Sequence, residues 1–344
     1  FKDSPVGKIP VGWEVKKFGE MVTLQYGKSP KDIKSDEGTY PIFGTGGFVG
    51  LGTDYLYNGD SIVIGRKGTI DKPSFIQGKF WAIDTTYYID SYRKVFPKWF
   101  FYRVVQECLS KYNEATGVPS LNRDTFNSII SIVPPLPEQQ KIASILTSVD
   151  EVIEKTQSQI NKLQDLKKGT MNELLTKGIG HTEFKDSPVG KIPKEWEVKK
   201  FGEIARVQGG YAFKSKDAQE SGARWLKIAN VGIGKVVWKD KSHLPPEFLT
   251  EHRDFVLRTG DIIVALTRPI LNHKLKIAMV DTPDSGALLN QRVGRILSKT
   301  DVGVRFLYYL LKSEYSVGFI EKVIFGSDPP NISGQQIESI TFAI

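Results

Sequence analysis

The sequence predicts an α+β chain in which two tandem mixed α/β domains are joined by a long helix of coiled-coil type. Three observations predict it. Residues 184–203 repeat residues 1–20 with 18 of 20 positions identical, so one module occurs twice in the chain. Between the copies, residues 138–177 carry apolar side chains at alternating steps of four and three. Within each copy, short apolar runs bounded by Gly and Pro come first and a helical pattern comes late. The expected boundaries are 1–137 for the first domain, 138–183 for the central helix and its linker, and 184–344 for the second domain.

In the first copy, Pro5, Gly7 and Pro10 make an extended lead-in, and Trp13, Val15 and Phe18 alternate with charged residues as a strand edge does. Residues 40–52 (YPIFGTGGFVGLG) are glycine-rich between apolar runs. Residues 56–65 form a strand that ends in the tight turn Gly65-Arg66-Lys67-Gly68-Thr69, with two cations. A further strand pair lies around residues 80–89, and residues 98–112 have helical spacing.

The long helix starts at Pro137, which suits a first helical position because no N–H is needed there, with Glu138 and Gln139 in the first turn. Ile142, Leu146, Val149, Ile153, Thr156, Ile160, Leu163 and Leu174 form its seam, interrupted by Lys167 and Thr170, and Gly178 and Gly180 end it. At 1.5 Å per residue the segment spans roughly 60 Å, a strut rather than an ordinary core helix, and its seam wants a partner helix.

In the second copy, residues 223–231 and 260–266 read as strands, 267–276 (TRPILNHKLK) as a cationic loop, and 305–323 as a helix rich in Tyr and Phe. The copies diverge after Glu203, yet landmarks keep step. The Asn58-Gly59-Asp60 strand answers Thr259-Gly260-Asp261, and residues 119–133 lie on 330–344, with Ser128 on Ser339 and Ile129 on Ile340. On that alignment a second long helix is expected directly after Ile344.

Composition excludes several classes. A single cysteine, Cys108, allows no internal disulfide and points to a reducing cytoplasm. No apolar run reaches the roughly 18 residues of a membrane span. The net charge of +8 is uneven: residues 1–137 carry 17 basic against 14 acidic side chains, 138–183 carry 6 against 7, and 184–344 carry 24 against 18. The basic excess sits in the modules, as expected if they meet a polyanion.

Motifs of catalysis are weak. Asp328-Pro329-Pro330-Asn331 is similar to the DPPY box of amino-methyltransferases, but Asn331 cannot stack on a flipped base. Gly44, Gly46 and Gly50 are not followed by the helix that a cofactor fingerprint requires. Glu14-Val15-Lys16 and Glu197-Val198-Lys199 have the E-x-K spacing of metal-dependent nucleases, yet both lie in charged strand edges. His181, His243, His252 and His273 lack ligand spacing, so no metal is expected. A solitary methyltransferase or nuclease, or a scaffold that does not bind DNA, remain the competing classes.

A duplicated module opening with G-K-I-P-x-x-W-E-V-K-K, the run Pro135-Leu136-Pro137-Glu138-Gln139-Gln140-Lys141-Ile142-Ala143, a long helix, and the module again resembles the specificity subunit of type I restriction-modification systems. The resemblance covers the whole chain. It implies two target recognition domains, each reading half of a split double-stranded DNA site. It also implies helices that set the spacing and dock two methyltransferase subunits, with restriction subunits completing the complex. It implies no catalysis in this chain, with S-adenosylmethionine, ATP and Mg used only in partner subunits. The family pattern places a second long helix after Ile344, and its lack here is the one departure: either the chain is truncated, or another molecule supplies that helix.

For DNA contacts, polar and cationic side chains in Gly- or Ser-containing loops are the candidates, because such loops can approach a groove and Arg or Lys can pair with guanine O6 and N7. In the first module these are Lys28, Lys31, Lys34, Arg66, Lys67, Thr69 and Arg123. In the second they are Lys214, Lys216, Arg268, Asn272, His273, Lys274, Gln291 and Arg292. The partner-binding face of the helix is Ile142, Leu146, Val149, Ile153, Ile160, Leu163 and Leu174. Left uncovered, it predicts association with a partner or a second copy.

Overall fold

The structure is a computed structural model that describes residues 1–239 and 242–344. Its contacts divide the chain into two compact units, Phe1–Gln159 and Ile160–Ile344.

The first unit contains β1 (Glu14–Lys17), α1 (Phe18–Met21), β2 (Val22–Tyr26), β3 (Tyr40–Gly44), β4 (Gly47–Gly52), β5 (Tyr57–Asn58) and β6 (Ser61–Gly65). There follow β7 (Ser74–Ile76), β8 (Lys79–Ala82), β9 (Thr86–Tyr92), α2 (Pro97–Glu107), α3 (Arg123–Ser128), β10 (Ile130–Val133) and the long α4 (Leu136–Lys177), of which the residues from Ile160 on belong to the second unit. One antiparallel sheet runs β2-β9-β6-β7 and a second runs β4-β3-β8-β5, with β3 and β8 parallel. The glycine-rich 40–52 stretch is thus a hairpin, its two strands joined through Thr45 and Gly46.

Strand β6 is buried along its whole length because both its faces are covered. Ile62 and Ile64 enter a core with Phe18, Phe100 and Phe126, while Val63 faces Phe80 and Ala82 of the second sheet. That is why this strand reads as a continuous apolar run rather than an alternating one. Phe18 sits 4.8 Å from Phe100 and 5.1 Å from Phe126, ring centre to ring centre, as the hub of the core.

The run that opens α4 plugs the helix into this unit. The Gln139 side chain is buried, donating to the Pro134 carbonyl (2.8 Å) and accepting from the Phe96 amide (2.8 Å). Glu138 accepts from the Trp13 indole at 2.9 Å, and Ile142 and Ala143 pack on the core. The helix begins at Leu136, so Pro137 takes its second position rather than its first. It remains within the first turn, where a missing N–H costs nothing.

The second unit repeats the plan. It contains β11 (Phe184–Ser187), β12 (Gly190–Pro193), β13 (Val198–Lys200), α5 (Phe201–Ile204), β14 (Ala205–Gly209), β15 (Ala223–Leu226), β16 (His243–Leu244) and α6 (Phe248–Glu251). Then come β17 (Ile262–Ala265), β18 (Ile270–Leu271), β19 (Lys274–Leu275), β20 (Ile277–Met279), β21 (Leu288–Leu289) and β22 (Val293–Ser298). The helices α7 (Val304–Lys312), α8 (Glu314–Ile324) and α9 (Gly334–Glu338) precede β23 (Thr341–Ala343). The order β14-β22-β17-β20 reproduces β2-β9-β6-β7, the parallel pair β15–β21 reproduces β3–β8, and β13–β23 reproduces β1–β10.

Three expectations change in this unit. Residues 305–323 are two helices rather than one, because Ser313 caps a new start by accepting from the Ser316 amide. Strand β15 is shorter than residues 223–231, with a 3-10 turn over Ile228–Asn230. Residues 267–276 contain a two-stranded hairpin, β18–β19, and not an open loop. Asn272 and His273 both take positive φ at its tip, as a two-residue turn requires.

The Gly-Asp landmarks also slip by one residue relative to the strands they introduce. Ile262 and Val264 face the helix-side core as Ile62 and Ile64 do, an offset of 200, whereas Asp60 and Asp261 differ by 201. A slip of one would turn every side chain of the strand to its other face, so the burial pattern and not the Gly-Asp pair sets the equivalence.

Candidate nucleic-acid interface

In the first module, Tyr26 ends β2 and pairs across the sheet with Tyr87 of β9. Arg66 follows β6, and Arg123 is the first residue of α3. The fold brings these three together: the Arg123 guanidinium carbon lies 4.1 Å from the centre of the Tyr26 ring and that of Arg66 lies 5.5 Å from it. The backbone beneath them is tied. The Arg66 amide donates to the Thr85 carbonyl (2.9 Å), the Leu121 amide donates to the Arg66 carbonyl (2.9 Å), and the Tyr87 hydroxyl donates to the Leu121 carbonyl (3.3 Å).

Neither guanidinium is neutralised by the described residues. No ion pair joins Arg66 or Arg123 to a carboxylate among the described residues, and the Nε of each is buried without a hydrogen-bond partner. Two cations set around one ring repel on the order of 1 to 2 kcal/mol. Tyr26 is 47% exposed, so the cluster opens to solvent. Burial pushes the Tyr87 hydroxyl up to about 12, and the neighbouring Tyr26 adds to this while the two guanidiniums oppose it.

Other expected contacts gather here. The turn at residues 82–86 receives the amides of Gly27, Lys28, Arg66 and Lys67, and Lys28 and Lys67 are exposed. Lys67 bridges to Ser120, and the Gly68 amide, ahead of half-buried Thr69, donates to the Pro119 carbonyl. Lys31 and Lys34 lie apart from this group, in the exposed segment leading to β3, with Lys34 bridged to Gly52.

In the second module, Tyr211 joins Gln291, the neighbour of Arg292: the Tyr211 amide donates to the Leu289 carbonyl, and the Gln291 amide donates to the Tyr211 carbonyl. The Arg292 carbonyl accepts from Leu266, which brings the start of the Arg268 segment close. Lys214 and Lys216 are exposed in the short turn after Phe213. Asn272, His273 and Lys274 sit at the β18–β19 tip, with His273 Nδ1 2.9 Å from Glu321 Oε1. Burial lowers the Lys276 ammonium, with nearby Arg268 adding to the effect, and its Nζ donates to the Ile228 carbonyl.

Two features escaped the sequence reading. Tyr26 is the platform between two candidates 57 residues apart, and nothing local signals that. Tyr211 heads an aromatic group, with the His252 ring 4.1 Å away and Phe213 4.9 Å away. The spacing of Tyr211 and Phe213 marks only a strand. The E-x-K pairs are surface ion pairs, Glu14 with Lys16 (2.5 Å) and Glu197 with Lys199 (3.0 Å). The Asn331 amide turns back on the Pro329 carbonyl at 2.9 Å.

Along α4, Ile142 packs on the first core, whereas Leu146, Val149, Ile153, Ile160, Leu163 and Leu174 are exposed. Leu166, outside the expected seam, is exposed too. In the second unit Leu163, Leu166, Leu174, Trp196, Phe306 and Tyr309 line an open groove of about 790 Å³.

Comparison with known proteins bears on all of this. A family model for the type I restriction modification DNA specificity domain matches twice, over residues 10–165 and 193–344. The chain is 34% identical over 348 residues to the type I restriction enzyme MjaVIII specificity subunit of Methanocaldococcus jannaschii, covering 96% of this chain and 82% of that protein. The EcoAI specificity subunit of Escherichia coli is 33% identical over 155 residues, 45% of this chain and 26% of that protein. The crystal structure of a type I restriction-modification S subunit from M. genitalium shares the fold, with a TM-score of 0.64 at 16% identity over 96% of this chain and 84% of that one. With a specificity-domain match on each copy of its repeat and a relative 34% identical along 96% of its length, the chain belongs to the family of type I restriction-modification specificity subunits.

Proposed function

We propose that this chain is the non-catalytic DNA reader of its restriction-modification complex, each module recognising one half of an asymmetric bipartite duplex site. The observation that carries this is the contrast between a shared frame and unshared surfaces. The modules have the same strand order, yet Tyr26, Arg66 and Arg123 of the first stand where the second has Gly209, Leu266 and Gly334. Two readers held alike and tipped differently suit a site whose halves differ in sequence. Phosphate contacts from Lys and Arg would supply most of the affinity and base-edge contacts the selectivity.

On this reading residues 1–137 and 184–344 are the readers and 138–183 the spacer. The 42 residues of α4 correspond to about 63 Å of helix, against about 34 to 36 Å per turn of duplex. The contacts would come from the fifteen side chains named at the outset, from Lys28 to Arg292. The exposed stripe from Leu146 to Leu174 would dock methyltransferase subunits, and without them a second copy of the chain. S-adenosylmethionine, ATP and Mg would act in partner subunits, in a cytoplasm whose reducing conditions suit exposed Cys108.

The test is methylome sequencing of the host with and without this gene. A split motif that loses methylation on deletion is expected, and an unchanged methylome would overturn the reading. Light scattering addresses the stripe: the isolated chain should self-associate, and Leu163→Glu with Leu166→Glu should make it monomeric. A strictly monomeric wild-type chain at high concentration would remove the stripe from the proposal.

A further inference from the structure

We infer that Arg66, Tyr26 and Arg123 form a guanine-reading unit, present in the first module and without a counterpart in the second. The inference rests on the reading of the first module as a DNA reader and adds which base it demands.

Three facts carry it. The two guanidiniums converge on one aromatic ring that is half exposed, and no carboxylate or carbonyl among the described residues takes up their hydrogen bonds. Their Nε atoms are buried, which leaves the terminal amino groups to meet an acceptor from outside. Guanine offers the matching pair, O6 and N7, on its major-groove edge, and a bidentate arginine on that edge is the commonest base-specific contact.

A backbone phosphate would also satisfy two arginines, and the repeat decides between them. Phosphate contacts are indifferent to sequence, so both modules would use them alike. The lead-in, which both modules share, is retained at 18 of 20 positions. The cluster is not shared. Gly209 pairs with Gly294 as Tyr26 pairs with Tyr87, Leu266 accepts from Ile332 as Arg66 accepts from Leu121, and Gly334 opens α9 as Arg123 opens α3. A feature confined to one module belongs to what that module alone reads. Tyr26 is then a positioning residue: strand pairing holds its ring, and the ring holds both guanidiniums by cation–π attraction.

The experiment uses the full chain with its methyltransferase subunits and a duplex carrying the split motif recovered from the methylome. Each guanine of the motif is replaced in turn by 7-deazaguanine, which lacks the N7 acceptor. One replacement in a single half-site should weaken wild-type binding, and Arg66→Ala and Arg123→Ala should each weaken binding to the unmodified duplex by about 5- to 150-fold. The same variants should be blind to that replacement. Arg66→Lys keeps the charge without the fork and should behave as Arg66→Ala does. Tyr26→Ser should lose discrimination and Tyr26→Phe should restore it.

Variants that still respond to 7-deazaguanine as the wild type does would overturn the inference. So would equal losses on motif and scrambled duplexes, with Arg66→Lys restoring binding, since that marks a phosphate contact. If the wild type itself does not distinguish motif from scrambled duplex, the reading beneath the inference fails as well.

Discussion

The two modules begin with nearly the same twenty residues and share one strand order, but they differ in what they do with both. In the first, the lead-in tryptophan Trp13 donates to Glu138 and anchors the start of α4. In the second, its counterpart Trp196 packs by Gly178 and His181 and anchors the end of that same helix. At the sheet ends the difference grows: Tyr, Arg and Arg in one module occupy the positions that hold Gly, Leu and Gly in the other. A frame set by backbone pairing tolerates any side chain at a strand end that faces solvent. Duplicated readers can therefore acquire separate specificities without refolding.

The strongest test of the common frame is a glycine that both modules need. A Cβ on Gly27 would stand 2.0 Å from the Ile83 carbonyl oxygen, and one on Gly210 would stand 2.3 Å from that of Asn290. Gly27→Ala and Gly210→Ala should each destabilise their own module by about 3 kcal/mol, read as the lower of two thermal transitions. If either is tolerated, the equivalence of the modules is broken at that turn.

Glu107 separates the modules. It is 8% exposed and binds Arg103, Lys111 and Tyr112. Burial pushes its carboxyl up, but the bonds to Lys111, Tyr112 and Arg103 outweigh that and hold it below the ordinary carboxylate range. A lowered carboxyl contributes stability above its unfolded pKa and loses it as pH falls through the folded value. Acid should therefore weaken the first module through this site. Glu107→Ala should cost about 3 kcal/mol by leaving the Arg103 guanidinium without a counter-charge, and Glu107→Gln should flatten the acid dependence, measured by denaturant unfolding against pH.

Two smaller effects sharpen the contrast. Arg268→Ala should weaken binding only at the half-site that Arg66→Ala spares, by about fivefold in a binding titration. Trp13→Phe should cost about 1 kcal/mol for the lost bond to Glu138. Trp196→Phe should cost less, since the Trp196 indole donates to none of the described residues.

Much of the architecture was legible because it rests on local signals. The heptad stripe announced α4, and helical spacing announced α2. The break at Ser313 was not legible, because Tyr and Phe continue the helical pattern across it and only the cap reveals the new start. The β18–β19 hairpin hid behind its charges, although Asn272 at its tip is a residue that tolerates positive φ. The slip at the Gly-Asp turn was hidden for a related reason: matching letters say nothing about which face a strand buries.

By itself the sequence determined the duplication, the long helix between the copies and the family to which the chain belongs, since repeats and periodicities are properties of neighbouring residues. Only the tertiary structure decided that Tyr26, Arg66 and Arg123 meet. They come from a strand end, a turn and a helix start that are distant along the chain, and their meeting depends on strand pairing, which sets register and facing through contacts that no local pattern encodes.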